Sequence, residues 1–235
     1  MDNTPETMET KSRNIYEKFQ DWILAKKNRL SHQKVDRSWR EEDEYYTFNI
    51  GGFSGGTKDR PEFSARYYYE ISQLIDVISE YDISAERSLE IGSGYGRVSP
   101  WIGRHSSDHY GVEPNSKVRK KSQKLYPGIT WTGDRLPDLE FEQESFDLVV
   151  TWTVLQHIPP SLIQESIEEI ERVTTEDAVV LICEETVGDA GSHTWPRSVE
   201  SYKEAFADFT LIDHKTRTVE PTYPEHAGEI MIFKR

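Results

Sequence analysis

Cysteine is nearly absent: Cys183 stands alone among 235 residues. This excludes an intramolecular disulfide framework and suits a reducing compartment, so the chain is expected in the cytoplasm. Cys183 lies in the apolar run 178–183 and reads as a buried, inert thiol. Long apolar runs are also missing. None approaches the roughly 20 residues that cross a bilayer, so no membrane span is expected. The polar opening, residues 1–7, lacks the charged and apolar regions of a secretory signal. Positive charge is in deficit, with 28 Lys and Arg against 42 Asp and Glu and a formal net charge of −14. That balance disfavours nucleic acid and anionic lipid as partners. The basic stretch 117–121 reads as the solvated face of a helix. No internal repeat and no second-domain signature is visible, and the length suits one α/β domain with an appendage.

What is present begins with a polar segment, residues 1–11. Ile15, Tyr16, Phe19, Trp22, Ile23 and Leu24 then recur at helical spacing, which predicts an amphipathic helix over 14–30. Residues 31–61 are rich in charges, aromatics and glycine and read as an arm or lid over a pocket. Pro61 suits a helix start, and a helix is expected through Tyr81. Strands and helices then alternate. Strands are expected at 87–91, 108–112, 129–132, 146–152 and 178–183, and helices at 96–104, 116–126 and 161–173. A helix at 198–207 and a terminal strand pair at 209–219 and 229–234 follow. Alternation with short connections implies an α/β fold, a doubly wound and mostly parallel sheet with helices on both faces. The division expected is an N-terminal helix and aromatic, Gly-rich lid over 1–61, then one domain over 62–235.

The chemistry concentrates in Ser88-Leu-Glu-Ile-Gly-Ser-Gly-Tyr-Gly-Arg-Val98. Glycines at alternate positions let a strand turn sharply into a helix with the backbone close to a ligand. The dinucleotide fingerprint G-x-G-x-x-G needs a third glycine at 97, where Arg97 stands. The observed E-x-G-x-G-x-G resembles motif I of the class I S-adenosylmethionine (SAM)-dependent methyltransferases. Further motifs follow in the order that family shows. Glu113 ends the second strand, 23 positions after Glu90, where a carboxylate can accept both ribose hydroxyls. Thr132-Gly-Asp134-Arg-Leu-Pro137 looks like the segment whose acid meets the adenine amino group. Residues 146–157 resemble the motif after strand four that lines the methyl-transfer cleft. The resemblance covers about residues 85–235. It implies a Rossmann-like sheet with an antiparallel C-terminal strand. It also implies SAM as cofactor, with S-adenosylhomocysteine (SAH) as product. The cofactor contacts it implies are Glu90, Gly92, Ser93, Gly94, Gly96, Glu113, Pro114, Asp134, Arg135, Leu136, Thr151 and Trp152.

His157 is the candidate catalytic base, since a neutral imidazole can take the proton of a hydroxyl or amine; packing against the cofactor is the alternative. Some relatives bind a divalent metal through a Glu-His pair in this motif. Here Gln156 precedes His157 and Trp152 stands where another acid would be, so no metal is expected. The segment 184–198, with Glu184, Glu185, His193, Trp195 and Arg197, is the candidate acceptor-recognition loop. Arg197 offers a bidentate fork for a carboxylate and Trp195 a stacking face. The function expected is methyl transfer to a polar small-molecule or saccharide acceptor, at oxygen. Alternatives are a protein or peptide methyltransferase, or a SAM-binding protein without catalysis. The missing glycine at 97 argues against NAD.

Overall fold

The computed structural model describes residues 61–191, 194–218 and 228–235. The expected helix over 14–30, most of the aromatic arm and His193 lie outside these residues. The first described helix, α1 (Pro61–Glu80), begins at the proline whose fixed φ suits a first helical turn. Ile71, Leu74, Val77 and Ile78, at spacings of three, three and one, are all buried.

Seven strands form one sheet in the order β3-β2-β1-β4-β5-β7-β6. They are β1 (Ala85–Ile91), β2 (Ser106–Val112), β3 (Thr130–Thr132), β4 (Phe146–Trp152), β5 (Thr174–Glu185), β6 (Thr210–Arg217) and β7 (Gly228–Lys234). The pairings β1–β2, β2–β3, β1–β4 and β4–β5 are parallel. β7 runs antiparallel to both β5 and β6. The chain first winds outward from β1 to β3, then returns to the other side of β1 with β4. That reversal opens a crevice at the carboxyl ends of β1 and β4, where open α/β sheets take their ligands.

Side-chain alternation divides the core into two layers. Val149, Val180, Ile182, Met231 and Phe233 pack with Ile167, Ile170 and Val173 of α4 (Ile163–Val173) and with Tyr202 of α5 (Val199–Ala205). Their strand neighbours Leu148, Val150, Leu181, Cys183, Ile230 and Ile232 face the other way, onto α1 and Ile102. Helices therefore cover both faces, as the β-α alternation implies. Two boundaries differ from expectation. The helix after the glycine motif is only α2 (Ser99–Ile102), continued by a 3-10 turn at Gly103–His105. Gly96 sits at φ +78°, outside the helical region, so no helix can begin there. β5 is longer than its apolar run because the exposed lead-in Glu176–Asp177 is extended too. Apolar patterning reports only the buried part of a strand. Helix α3 (Ser116–Leu125) is capped by Asn115, whose side chain accepts from the Lys117 and Val118 N–H groups. Among the described residues no helix is long and apolar enough to cross a membrane.

Candidate functional site

Three glycines turn the chain out of β1. Gly92, Gly94 and Gly96 all have φ between +56° and +78°, where any other residue would be strained. Gly92 is excluded from change by space as well. A Cβ there would lie 2.5 Å from a Val154 methyl on the turn after β4. The glycine turn and the turn after β4 therefore touch, and a cavity of about 90 Å³ opens beside them. Ile91, Gly92, Val112, Pro114, Arg135, Leu136, Val154 and Ile158 line it. Apolar walls between two backbone turns suit a flat heteroaromatic ring, and acids stand close by in the chain. Glu113 follows Val112 directly, is buried, and accepts from the Gly94 N–H (3.0 Å) and the Asn115 N–H (2.6 Å). Asp134 precedes Arg135 and accepts from the Thr132 hydroxyl at 3.0 Å. Of the residues expected to meet the nucleoside, Gly92, Pro114, Arg135 and Leu136 line this opening, and Glu113 and Asp134 are chain neighbours of its lining.

Glu90 and Ser93 serve the turn from beneath. The Ser93 hydroxyl donates to the Val112 carbonyl at 3.2 Å. The Glu90 carboxylate is buried, accepts from the Ser99 hydroxyl, and lies 3.8 Å from His109 Nε2. Burial pushes its carboxyl above the ordinary value, a tendency that His109 and Ser99 oppose. Glu90 therefore ties the glycine turn to α2 and β2.

The turn after β4 is held from behind by β5 and the chain that follows it. Thr153 adopts φ +60°, a strained conformation for a β-branched residue. Its N–H donates to the Cys183 carbonyl at 2.7 Å. Glu184, wholly buried, supplies the main brace. Its Oε1 accepts from the Thr151 hydroxyl (2.9 Å) and the Val154 N–H (3.1 Å), and its Oε2 from the Gln156 N–H (3.0 Å). Burial raises this carboxyl too, against the pull of those donors. Gln156 returns the favour by accepting the Glu185 N–H at 2.8 Å. His157 sits half-buried on the 3-10 turn Leu155–His157, within this braced segment.

The segment read as an acceptor loop turns out to complete the brace. The Trp195 N–H donates to the Gln156 carbonyl at 2.7 Å. Arg197 Nη1 donates to the carbonyls of Leu155 (2.7 Å) and Trp195 (3.1 Å), and its Nη2 to that of Ile158 (2.5 Å). Through these bonds the guanidinium clamps the backbone of the turn. Glu184, counted with the acceptor loop in the sequence, faces the same turn. Thr151 gives its hydroxyl to Glu184. Trp152 is buried on the α1 side of the sheet. Sequence spacing placed all of these near the crevice but carried no signal for which way each side chain points.

Against known proteins, residues 89–182 match the family described as "Methyltransferase domain". No curated protein matches the sequence. Among solved structures, magnesium protoporphyrin IX methyltransferase from Synechocystis, with bound SAM, is 12% identical. The alignment covers 87% of this chain and 97% of that one, with a TM-score of 0.68. The N-methyltransferase NodS from Bradyrhizobium japonicum, in complex with SAH, is 14% identical over 82% and 97% of the two chains, with a TM-score of 0.62. The [4+2]-cyclase SpnF is 14% identical over 69% and 80%, with a TM-score of 0.58. At these identities the structural likeness speaks for the fold. Taken with the family match across β1 to β5, it leads to one statement: residues 89–182 form a methyltransferase domain, in a Rossmann-like fold shared with SAM-dependent methyltransferases.

Proposed function

We propose that this protein moves the methyl group of SAM to an oxygen of a polar small-molecule or saccharide acceptor in the cytoplasm. The observation that carries the reading is the apolar cavity between the glycine turn and the braced turn, with Glu113 beside it. In this reading Glu113 accepts the ribose hydroxyls and Asp134 the adenine amino group. Pro114, Arg135 and Leu136 enclose the ring. Gly92, Gly94 and Gly96 admit the amino-acid end close to backbone. The formal charge of −14 supports a small acceptor over nucleic acid.

When bound, SAM would supply a methyl group already activated as a sulfonium, transferable to an acceptor oxygen with the thioether of SAH as leaving group. The chain's own contribution is alignment and proton handling. Glu184, Gln156 and Arg197 fix the turn that carries His157. His157 takes the proton of an acceptor hydroxyl on its imidazole, and an already ionised acceptor needs no such step. The second reading is a SAM-binding protein without catalysis, since a fold does not fix a function.

Incubation of the protein with methyl-labelled SAM and a fractionated cell extract tests the proposal. Label is expected in small molecules or glycans, and label in protein alone contradicts it. Once an acceptor is in hand, His157→Ala is expected to lower turnover about 10²–10⁴-fold with little change in SAH affinity. Equal rates from pH 6 to 9 would remove the base assignment.

A further inference from the structure

Helix α3 touches three segments at the carboxyl ends of the strands: the glycine turn after β1, the loop after β2 and the loop after β3. Ser122 reaches the first. Its side chain is wholly buried, and its hydroxyl lies 2.8 Å from the Gly94 carbonyl and 3.1 Å from that of Val118. A serine inside a helix ordinarily bonds the carbonyl four residues back. Here the shorter contact leaves the helix. The Gly94 N–H donates to Glu113, so Gly94 is held at both of its backbone polar groups. Arg119, one turn earlier, reaches the other two loops. Its Nη1 donates to the Glu113 carbonyl at 2.5 Å, with the Pro114 carbonyl at 3.4 Å. The same guanidinium lies against Gly133, the residue before Asp134. A Cβ there would stand 3.0 Å from Arg119 Cζ, Nη1 and Nη2 alike, so the flat face of the fork covers this glycine.

The basic stretch of α3 therefore splits by direction. Lys117, Lys120, Lys121 and Lys124 are exposed, whereas Arg119 is half-buried and turned onto the loops. Its planar fork suits a place between two segments, where an ammonium could serve only as a point donor. Ser122 suits a tight place for a different reason. Alanine would fill nearly the same space and lose only the hydroxyl's bond. Glycine has the widest conformational choice of any residue, and Gly94 sits at φ +56°. Fixing it before a ligand arrives removes an ordering cost that binding would otherwise carry.

We propose that Ser122 and Arg119 are positioning residues for the cofactor, each acting on a different part of it. Ser122 fixes the backbone of Gly94, beside which the amino-acid end is placed. Arg119 fixes the backbone of Glu113 and the glycine before Asp134, and through them the two acids assigned to the nucleoside. The inference rests on the proposed SAM reading for the identity of the ligand. It goes beyond that reading by giving a role to α3, a helix to which no cofactor contact is assigned. A helix that merely supported the fold would affect both parts of the cofactor alike.

The test is calorimetric titration of the full chain with two ligands, SAH and 5′-methylthioadenosine, which keeps the adenosine and the sulfur but lacks the amino-acid chain. Ser122→Ala is expected to raise the Kd of SAH roughly fivefold, the scale of one neutral hydrogen bond, and to leave that of 5′-methylthioadenosine within about twofold. Arg119→Met is expected to raise both by the same factor, roughly tenfold, the scale of a bond from a charged donor. Lys120→Ala, on the exposed side of the same helix, should change neither. Should Arg119→Met fail to fold, Arg119→Lys, which loses the planar fork, gives the same comparison. Hydrogen exchange of the Gly94 amide, read by NMR in the ligand-free protein, should be roughly fivefold faster in Ser122→Ala. Unchanged exchange overturns the hold on Gly94 without reference to any ligand. An equal effect of Ser122→Ala on both ligands, or none on SAH, overturns the positioning role of Ser122. An Arg119 variant that spares 5′-methylthioadenosine overturns that of Arg119. A parent protein that binds neither ligand contradicts the SAM reading, and the inference falls with it; in a parent that binds both, the variants count against the inference alone.

Discussion

Replacing Glu184 with Gln should destabilise the fold and loosen the site together. The carboxylate accepts three bonds through two oxygens, from the Thr151 hydroxyl and the Val154 and Gln156 amides. Glutamine keeps the shape but has one oxygen. In its better orientation that oxygen retains Thr151 and Val154, and the new NH₂ group faces the Gln156 N–H. One buried amide then loses its acceptor, at about 1–3 kcal/mol, and the two surviving bonds lose their charge assistance. Relief from burying a charge offsets part of this, since burial already raises the Glu184 carboxyl. The net expectation is a loss of about 2–4 kcal/mol, or about 4–16 °C in Tm for a chain of this size. Urea and thermal unfolding followed by circular dichroism measure the loss. Because Val154 lines the cavity, calorimetry should show weaker SAH binding in the same variant. A Glu184→Gln protein within 0.5 kcal/mol of the parent, with unchanged SAH affinity, would refute the brace.

Arg197→Met should cost about 1.5–3 kcal/mol of stability, because carbonyls of Leu155, Ile158 and Trp195 lose a charged donor. A variant of full stability with only its acceptor KM raised would restore Arg197 to the acceptor. Glu90 gives a pH signature. Its carboxyl lies above 4.5 in the folded protein, so the folded state holds that proton more tightly than the unfolded chain does. Its contribution to stability is therefore complete below pH 4.5 and is lost as pH rises through the folded-state value. The stability difference, parent minus Glu90→Gln, should decline from pH 4 to 8, measured by urea unfolding. A flat or rising difference contradicts the assignment.

The sheet was legible because its cues are local and repeated. Apolar runs ended by turn residues marked β1, β2, β4 and β5, and the glycine spacing marked the switch point. The pairing of β6 with β7 was also readable, as a terminal strand pair after the last helix. The motif acids Glu113 and Asp134 were singled out because their type and interval match the family's motifs. What escaped was side-chain direction. Glu184 and Arg197 sit in a polar segment at the right edge of the sheet, yet both turn back onto backbone groups of the turn after β4. Those partners are 28 to 42 residues away, beyond any local pattern.

The central claim is that the crevice at β1 and β4 holds the cofactor through Glu113. Calorimetric titration of SAH into the full chain and into Glu113→Ala tests it most directly, with NAD as the control. SAH should bind the parent at one site and NAD should not bind. The variant, while still folded, should lose about 1.5–3 kcal/mol, a roughly 10- to 150-fold rise in Kd. An unchanged Kd in a folded Glu113→Ala protein, or binding of NAD in place of SAH, would contradict the account.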